Sequence, residues 1–206
     1  MKVGDSIRRA IEDWELGELE SAMLHACNAI DGTAKKLHPN MSGNQDRFTK
    51  VLRENYFILG PMAMPSINIA ETRFPVSIRR TTTPDGKPDL ADVIYSIHRC
   101  THGHGDELPD GFALIPNAAS DKRVTEVTIE QGSIRISDRA IFGLIAIAVL
   151  SPANVDQRCP DSYYLTFGAE HVLTINEWWG RANDFPSIAA TDSLPLLKLG
   201  FADWMK

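Results

Sequence analysis

Hydrophobic positions recur at helical spacing over most of the first sixty residues. Ile7, Ala10, Ile11 and Trp14 share one face, and Leu16, Leu19, Met23, Ala26, Cys27, Ile30, Ala34 and Leu37 continue a wide apolar stripe. This pattern predicts helix over 5–37 with a break near Gly17. His38-Pro39-Asn40 stops it, because Pro39 cannot continue a helix. After a polar loop to Gln45, the spacing of Phe48, Val51, Leu52, Asn55, Tyr56 and Leu59 predicts a third helix from Asp46 to about Leu59, ended by Gly60-Pro61. Residues 60–88 hold Pro61, Pro65, Pro75, Pro84 and Pro88 and read as a long irregular excursion, a kind of segment that is often functional or partly mobile. Met62, Met64 and Pro65 within it form a candidate lid or interface patch.

Asp89 is a natural N-cap for a helix that buries Leu90, Val93, Ile94, Ile97 and Thr101 and is broken by Gly103 and Gly105. The apolar period then changes to two. Val127, Ile129, Ile134 and Ile136 alternate across Gln131-Gly132 and predict a hairpin over 126–137, with Phe112 to Ile115 as an added strand. Ser137 or Asp138 caps the next helix, which runs to Leu150 and is closed by Pro152. Tyr163 to Phe167 and His171 to Ile175 predict a second hairpin with Gly168 near its turn, and the tail from Pro186 to Lys206 has no clear period. The expected class is α+β, predominantly α-helical, in a single domain over 1–206. Its helical core is expected at about 5–59 and 89–150, with the Pro-rich excursion 60–88 and a C-terminal hairpin and tail over 160–206.

The 206 residues are 43% hydrophobic and 23% charged, ordinary globular values that exclude disordered, collagen-like and coiled-coil classes. The net charge is −6, so no broad basic footprint for nucleic acid is present and any RNA contact has to be local. Cys27, Cys100 and Cys159 are far apart and in no CxxC spacing, which fits a reducing compartment. The N-terminus has no apolar signal region, and Ala140 to Leu150 is about half the roughly 20 residues a membrane span needs. The expected location is the cytoplasm, with no membrane partner.

Chemistry concentrates in Ile97 to Gly111, which holds His98, Arg99, His102, His104, Asp106 and Glu107 beside two glycines at a helix end. Histidine exchanges a proton near neutral pH, and glycine admits a close approach of a ligand. The plain alternative is a polar helix C-terminus, where histidines favour the negative end of the dipole.

Arg99 and His104, an Arg-x4-His spacing after an apolar helix, resemble the motif of the HEPN superfamily of helical RNase, toxin and defence proteins. Two long N-terminal helices, the second carrying Ala29-Ile-Asp-Gly-Thr-Ala-Lys-Lys36, fit the same pattern over about residues 5–150, with Cys100 as a departure where the family is often polar. The resemblance implies a HEPN-like bundle with inserted or appended β-hairpins and a homodimer. It implies a metal-independent endoribonuclease without cofactor, in which His104, assisted by His102 or His98, moves a proton at a ribose hydroxyl and Arg99 stabilises the charged transition state. On an ideal helix positions 99 and 104 lie about 140° apart, so they converge on one phosphate only if the helix breaks at Gly103 or a second chain contributes. Many proteins of this kind do no catalysis, and the alternative is a helical interaction module in a stress or defence system.

His102, His104 and Asp106 also resemble the His-x-His-x-Asp core of metallo-β-lactamase-fold hydrolases, in which they would hold zinc. Against it stand Glu107 where that pattern has His, and helices where that fold has strands. His98 and His102, at i and i+4, are a lesser metal pair. Trp178 and Trp179 beside Arg181 are a weak candidate for stacking nucleic-acid bases, and more commonly such a pair fills a core. Asp31 with Lys35 and Lys36 reads as a surface charge pair.

Overall fold

The computed structural model describes residues 2–104, 106–117, 125–168, 171–190 and 195–205. Helix α1 (Val3–Glu15) and helix α2 (Leu19–Leu37) form an αα-hairpin around Gly17, whose φ of +81° only glycine adopts without strain. Their facing apolar positions, Ile7, Ala10, Met23, Ala26 and Ile30, are buried, as their spacing predicts.

The expected third helix is two helices. Helix α3 (Asn44–Glu54) ends at Asn55, and α4 (Tyr56–Ala63) runs through Gly60-Pro61 instead of stopping there. Pro61 removes one bond to the carbonyl of Phe57, a residue 45% exposed, so water can serve that carbonyl. Continuing the helix buries Ile58, Leu59, Met62 and Ala63 against α7 (Arg139–Leu150). Met62 and Met64 are therefore core residues and not a lid.

The rest of the excursion is anchored at several points. Phe74 and Ile69 are buried, the Phe74 amide donates to Pro88, and Ile67 bridges Leu197 in the tail. A buried polar network holds its far end. Arg53 donates from Nε and Nη2 to the two oxygens of Asp89 at 2.7 and 2.9 Å, and Nη2 lies 3.1 Å from Asp92. Tyr56 donates to Asp89, and the hydroxyl and amide of Thr82 donate to Asp92. Asp89 also accepts from the Asp92 amide, which is the N-cap bond expected of it.

That cap opens α5 (Leu90–Val93), which passes into a π-helical turn (Ile94–Arg99) and then α6 (Cys100–His104). The sequence spacing is α-helical, and the wide turn is a departure from it. Gly103 lies inside α6 and does not break it, while Gly105 lies outside the described residues.

Strand β1 (Phe112–Ile115) pairs parallel to β3 (Ser133–Ser137), with Leu114 opposite Ile136, and β2 (Thr128–Glu130) pairs antiparallel on the other side of β3. The central place of β3 is long-range and has no local signal. β4 (Tyr164–Phe167) and β5 (His171–Thr174) form the second hairpin, in register Leu165 to Leu173. Short helices α8 (Ile175–Trp178) and α9 (Phe185–Ala189) follow. Helix α7 is buried almost all round, lies between α2 and α4, and is not long enough to cross a membrane. The architecture is α+β and mainly helical.

Candidate functional site

The helix end that concentrates the chemistry sits against α2. The π-turn carries Tyr95, His98 and Arg99, and its extra residue per turn changes which of them face the neighbouring helix. His98 turns inward and is 1% exposed, so it belongs to the core. Arg99 reaches Asp31 on α2, with Nε and Nη2 each 3.0 Å from Asp31 Oδ2. The two side chains are 24% and 16% exposed. The Arg99 guanidinium also lies 5.9 Å from the centre of the Tyr95 ring. Burial weakens its hold on the proton, and the Asp31 carboxylate more than restores it, so Arg99 stays charged at every accessible pH.

Asp31 is therefore not a surface partner of Lys35 and Lys36. Lys36 instead reaches the carbonyl of Ala153 at 3.1 Å and Asp156 at 3.4 Å. A β-carbon added at Gly103 would stand 3.0 Å from Arg99 Nη1, so this glycine makes room for the guanidinium. Cys100 is partly exposed, but burial pushes its thiol up, away from the range of a reactive thiolate. Cys27 is buried and its thiol is pushed higher still, and Cys159 is pushed up to about 11.

Asp106 and Glu107 are exposed, and the Asp106 amide donates to Thr101 at 3.1 Å. The side chains of His102 and His104 lie outside the described residues, and with them the distance from Arg99 to His104 and the proposed His102, His104, Asp106 metal set. Among the described residues no three His, Cys, Asp or Glu side chains converge as a metal would require.

The tryptophan pair turns to structure. Trp179 is 7% exposed and donates to Asn176 Oδ1. The Arg181 guanidinium stands 4.3 Å from the centre of the Trp178 ring and donates to Asp184 at 2.7 Å. The Arg181 cation thus sits over one face of the Trp178 ring.

One concave site had no signal in the sequence. A cavity of about 400 Å³ opens between the end of α1, the start of α7 and the 162–168 segment. Trp14 and Phe142 meet edge to face in its wall, ring centres 4.8 Å apart. Of the two residues expected to cap α7, Asp138 makes no side-chain cap. Its carboxylate accepts from Trp14 Nε1 and from the Asn117 amide, both at 2.9 Å, which joins α1 to the 117 loop. Ser137 Oγ accepts from the Arg139 amide at 3.2 Å and takes the cap's part. Arg139 donates from Nε to the Met62 carbonyl at 3.0 Å, and burial lowers its affinity for the proton.

The fold thus defines a mainly helical α+β domain whose helix-end arginine is paired and whose cavity carries a second arginine. A family model described as Rv1289 matches residues 2–205. The chain is 39% identical over 205 residues to the uncharacterized proteins Rv1289 of Mycobacterium tuberculosis and Mb1320 of Mycobacterium bovis, covering 98% of this chain and 95% of each relative. The chain belongs to the Rv1289 family. No solved structure matches it.

Proposed function

We propose that this chain works by binding, as a non-catalytic helical interaction module in a HEPN-like arrangement, and not as a nuclease. The observation that carries this reading is the pairing of Arg99 with Asp31. A phosphoryl transition state needs a guanidinium whose charge and donors are free to meet charge as it develops. Two of the Arg99 nitrogens are committed to a carboxylate in a half-buried setting, and the third, Nη1, lies beside Gly103. A phosphate arriving there meets an ion pair with little net charge on a protein of net charge −6. The α1–α2 hairpin with the π-turn docked on α2 supports the HEPN-like arrangement. In that arrangement the partner is a second copy of the chain, meeting at the α6 end.

The test is incubation of the purified protein with a mixed RNA pool in EDTA, beside the Arg99→Ala and His104→Ala variants, with the mass in solution measured in parallel. No cleavage by any of the three, and a dimer mass, is expected. Cleavage that survives EDTA and disappears in both variants overturns the reading in favour of the metal-independent RNase.

A further inference from the structure

We propose that the cavity at the start of α7 is a ligand site for a small, flat aromatic carboxylate, gripped at its carboxylate by Arg139. Its size of about 400 Å³ falls in the range of small-molecule pockets, which are mostly apolar with a few polar groups that fix orientation. The apolar wall is aromatic. Trp14 and Phe142 pack together in it, and Tyr164, 57% exposed on the outer face of β4, also lines it. These rings suit a planar body, which they can contact at face and edge.

The charges select the head group. Among the described residues, three ionisable carboxylate or guanidinium groups line the cavity, namely Glu15, Asp138 and Arg139. Asp138 is 2% exposed and its oxygens are filled by Trp14, Asn117 and Ser137, so it is a strut and not a ligand contact. Glu15 is exposed to water at the rim. Arg139 uses only Nε, on Met62, and no carboxylate lies within ion-pair distance of it among the described residues. A partly desolvated guanidinium with an open Nη pair matches a carboxylate in two-point geometry. A phosphate monoester would bring nearly two charges to one cation, beside Asp138 and Glu15, and is disfavoured.

Asn117 also lines the cavity, but its side-chain oxygen is buried away from it, with no hydrogen-bond partner among the described residues, and is not a ligand contact. The inferred ligand is therefore a flat aromatic carboxylate. This site shares no residue with the Arg99 pair, so it goes beyond the reading of that helix end and survives its failure.

The probe is 3-hydroxy-2-naphthoate, titrated calorimetrically into the whole protein beside 2-naphthol and 2-naphthyl phosphate. One-to-one binding of the naphthoate is expected, with 2-naphthol and the phosphate each weaker by about tenfold or more. Arg139→Gln is expected to weaken the naphthoate about tenfold while leaving 2-naphthol unchanged, and Tyr164→Ala to weaken both. Tyr164 is exposed, so that variant folds even if Arg139→Gln does not. No saturable binding by the wild type overturns the site. Equal binding of 2-naphthol overturns the role of Arg139, and tighter binding of the phosphate overturns the carboxylate assignment.

Discussion

Arg99 and Asp31 meet through one oxygen, with Nε and Nη2 of the arginine each 3.0 Å from Oδ2 of the aspartate. They are 68 positions apart in sequence, and the bond ties the π-turn to the middle of α2. The residue that looked most like a catalytic cation is thereby a clasp between two helices. Because both side chains keep some exposure, water screens the pair and its stabilisation is modest.

The clasp predicts a coupling. Arg99→Met and Asp31→Leu are each expected to cost about 1–2 kcal/mol, and the double variant less than their sum, because each single change strands a half-buried charge. Urea unfolding of the four proteins measures it. Strict additivity would show that the two side chains do not stabilise each other.

Arg53 is the more consequential arginine. It faces two carboxylates, Asp89 at 3% side-chain exposure and Asp92 at 0%, so Arg53→Met leaves two buried negative charges facing each other. The expected loss is about 3–5 kcal/mol, with the 80s segment released first. Hydrogen exchange at Thr82 and Asp92, whose amides close the network, reports that release.

Acid should loosen the same network. Burial alone would raise the Asp89 carboxyl, but the hydrogen bond and charge of Arg53 outweigh it and hold the group below the usual carboxylate range. A depressed folded value means that the unfolded chain takes up the proton first as pH falls. The stability from Asp89 is whole well above its unfolded value near 3.9 and is lost as pH drops through the lower folded value. Wild type is therefore expected to lose stability below about pH 4 more steeply than Asp89→Asn. Parallel slopes for the two proteins would remove Asp89 from the account.

His25 sets a milder window. Burial lowers its pKa more than Asp13, 3.6 Å away, raises it, and its Nδ1 is buried with no hydrogen-bond partner among the described residues. The neutral ring is the folded form, so the unfolded chain binds the proton more readily and stability falls as pH drops below about 6.5. Between pH 7.5 and 5.5 the urea midpoint of wild type should fall further than that of His25→Gln. Equal falls in both would place the sensitivity elsewhere.

Gly4 inverts the usual helix rule. Glycine to alanine inside a helix ordinarily stabilises by about 1 kcal/mol. Here a β-carbon would run into the Arg158 carbonyl, and the Gly4 amide and carbonyl already hold Gln157 and Cys159. Gly4→Ala is expected to destabilise by about 1–3 kcal/mol. A raised melting temperature would show that the 157–159 segment yields freely.

Several features were legible because their cause is local. The α1–α2 break at Gly17, the Asp89 cap, the β2–β3 turn at Gly132 and the β4–β5 hairpin follow from neighbours in sequence. Trp179 as core filler followed from the bulk of its own side chain. Pro61 misled, since proline stops a helix only where its lost bond is not offset by burial, and four apolar neighbours supplied that burial. Asp31 misled too, since Lys35 is near in sequence and Arg99 is near only in space.

The sequence by itself determined most helix faces, the Gly17 break, the Asp89 cap and the mainly helical α+β class, because these depend on side-chain period, caps and turn residues a few positions apart. Only the tertiary structure decided that β1 lies parallel to β3, that Arg99 is held by Asp31 and that Arg139 faces a cavity with no ion-pair partner among the described residues. Each of these joins segments far apart in the chain. Their energies come from burial and desolvation, which exist only once the segments have met.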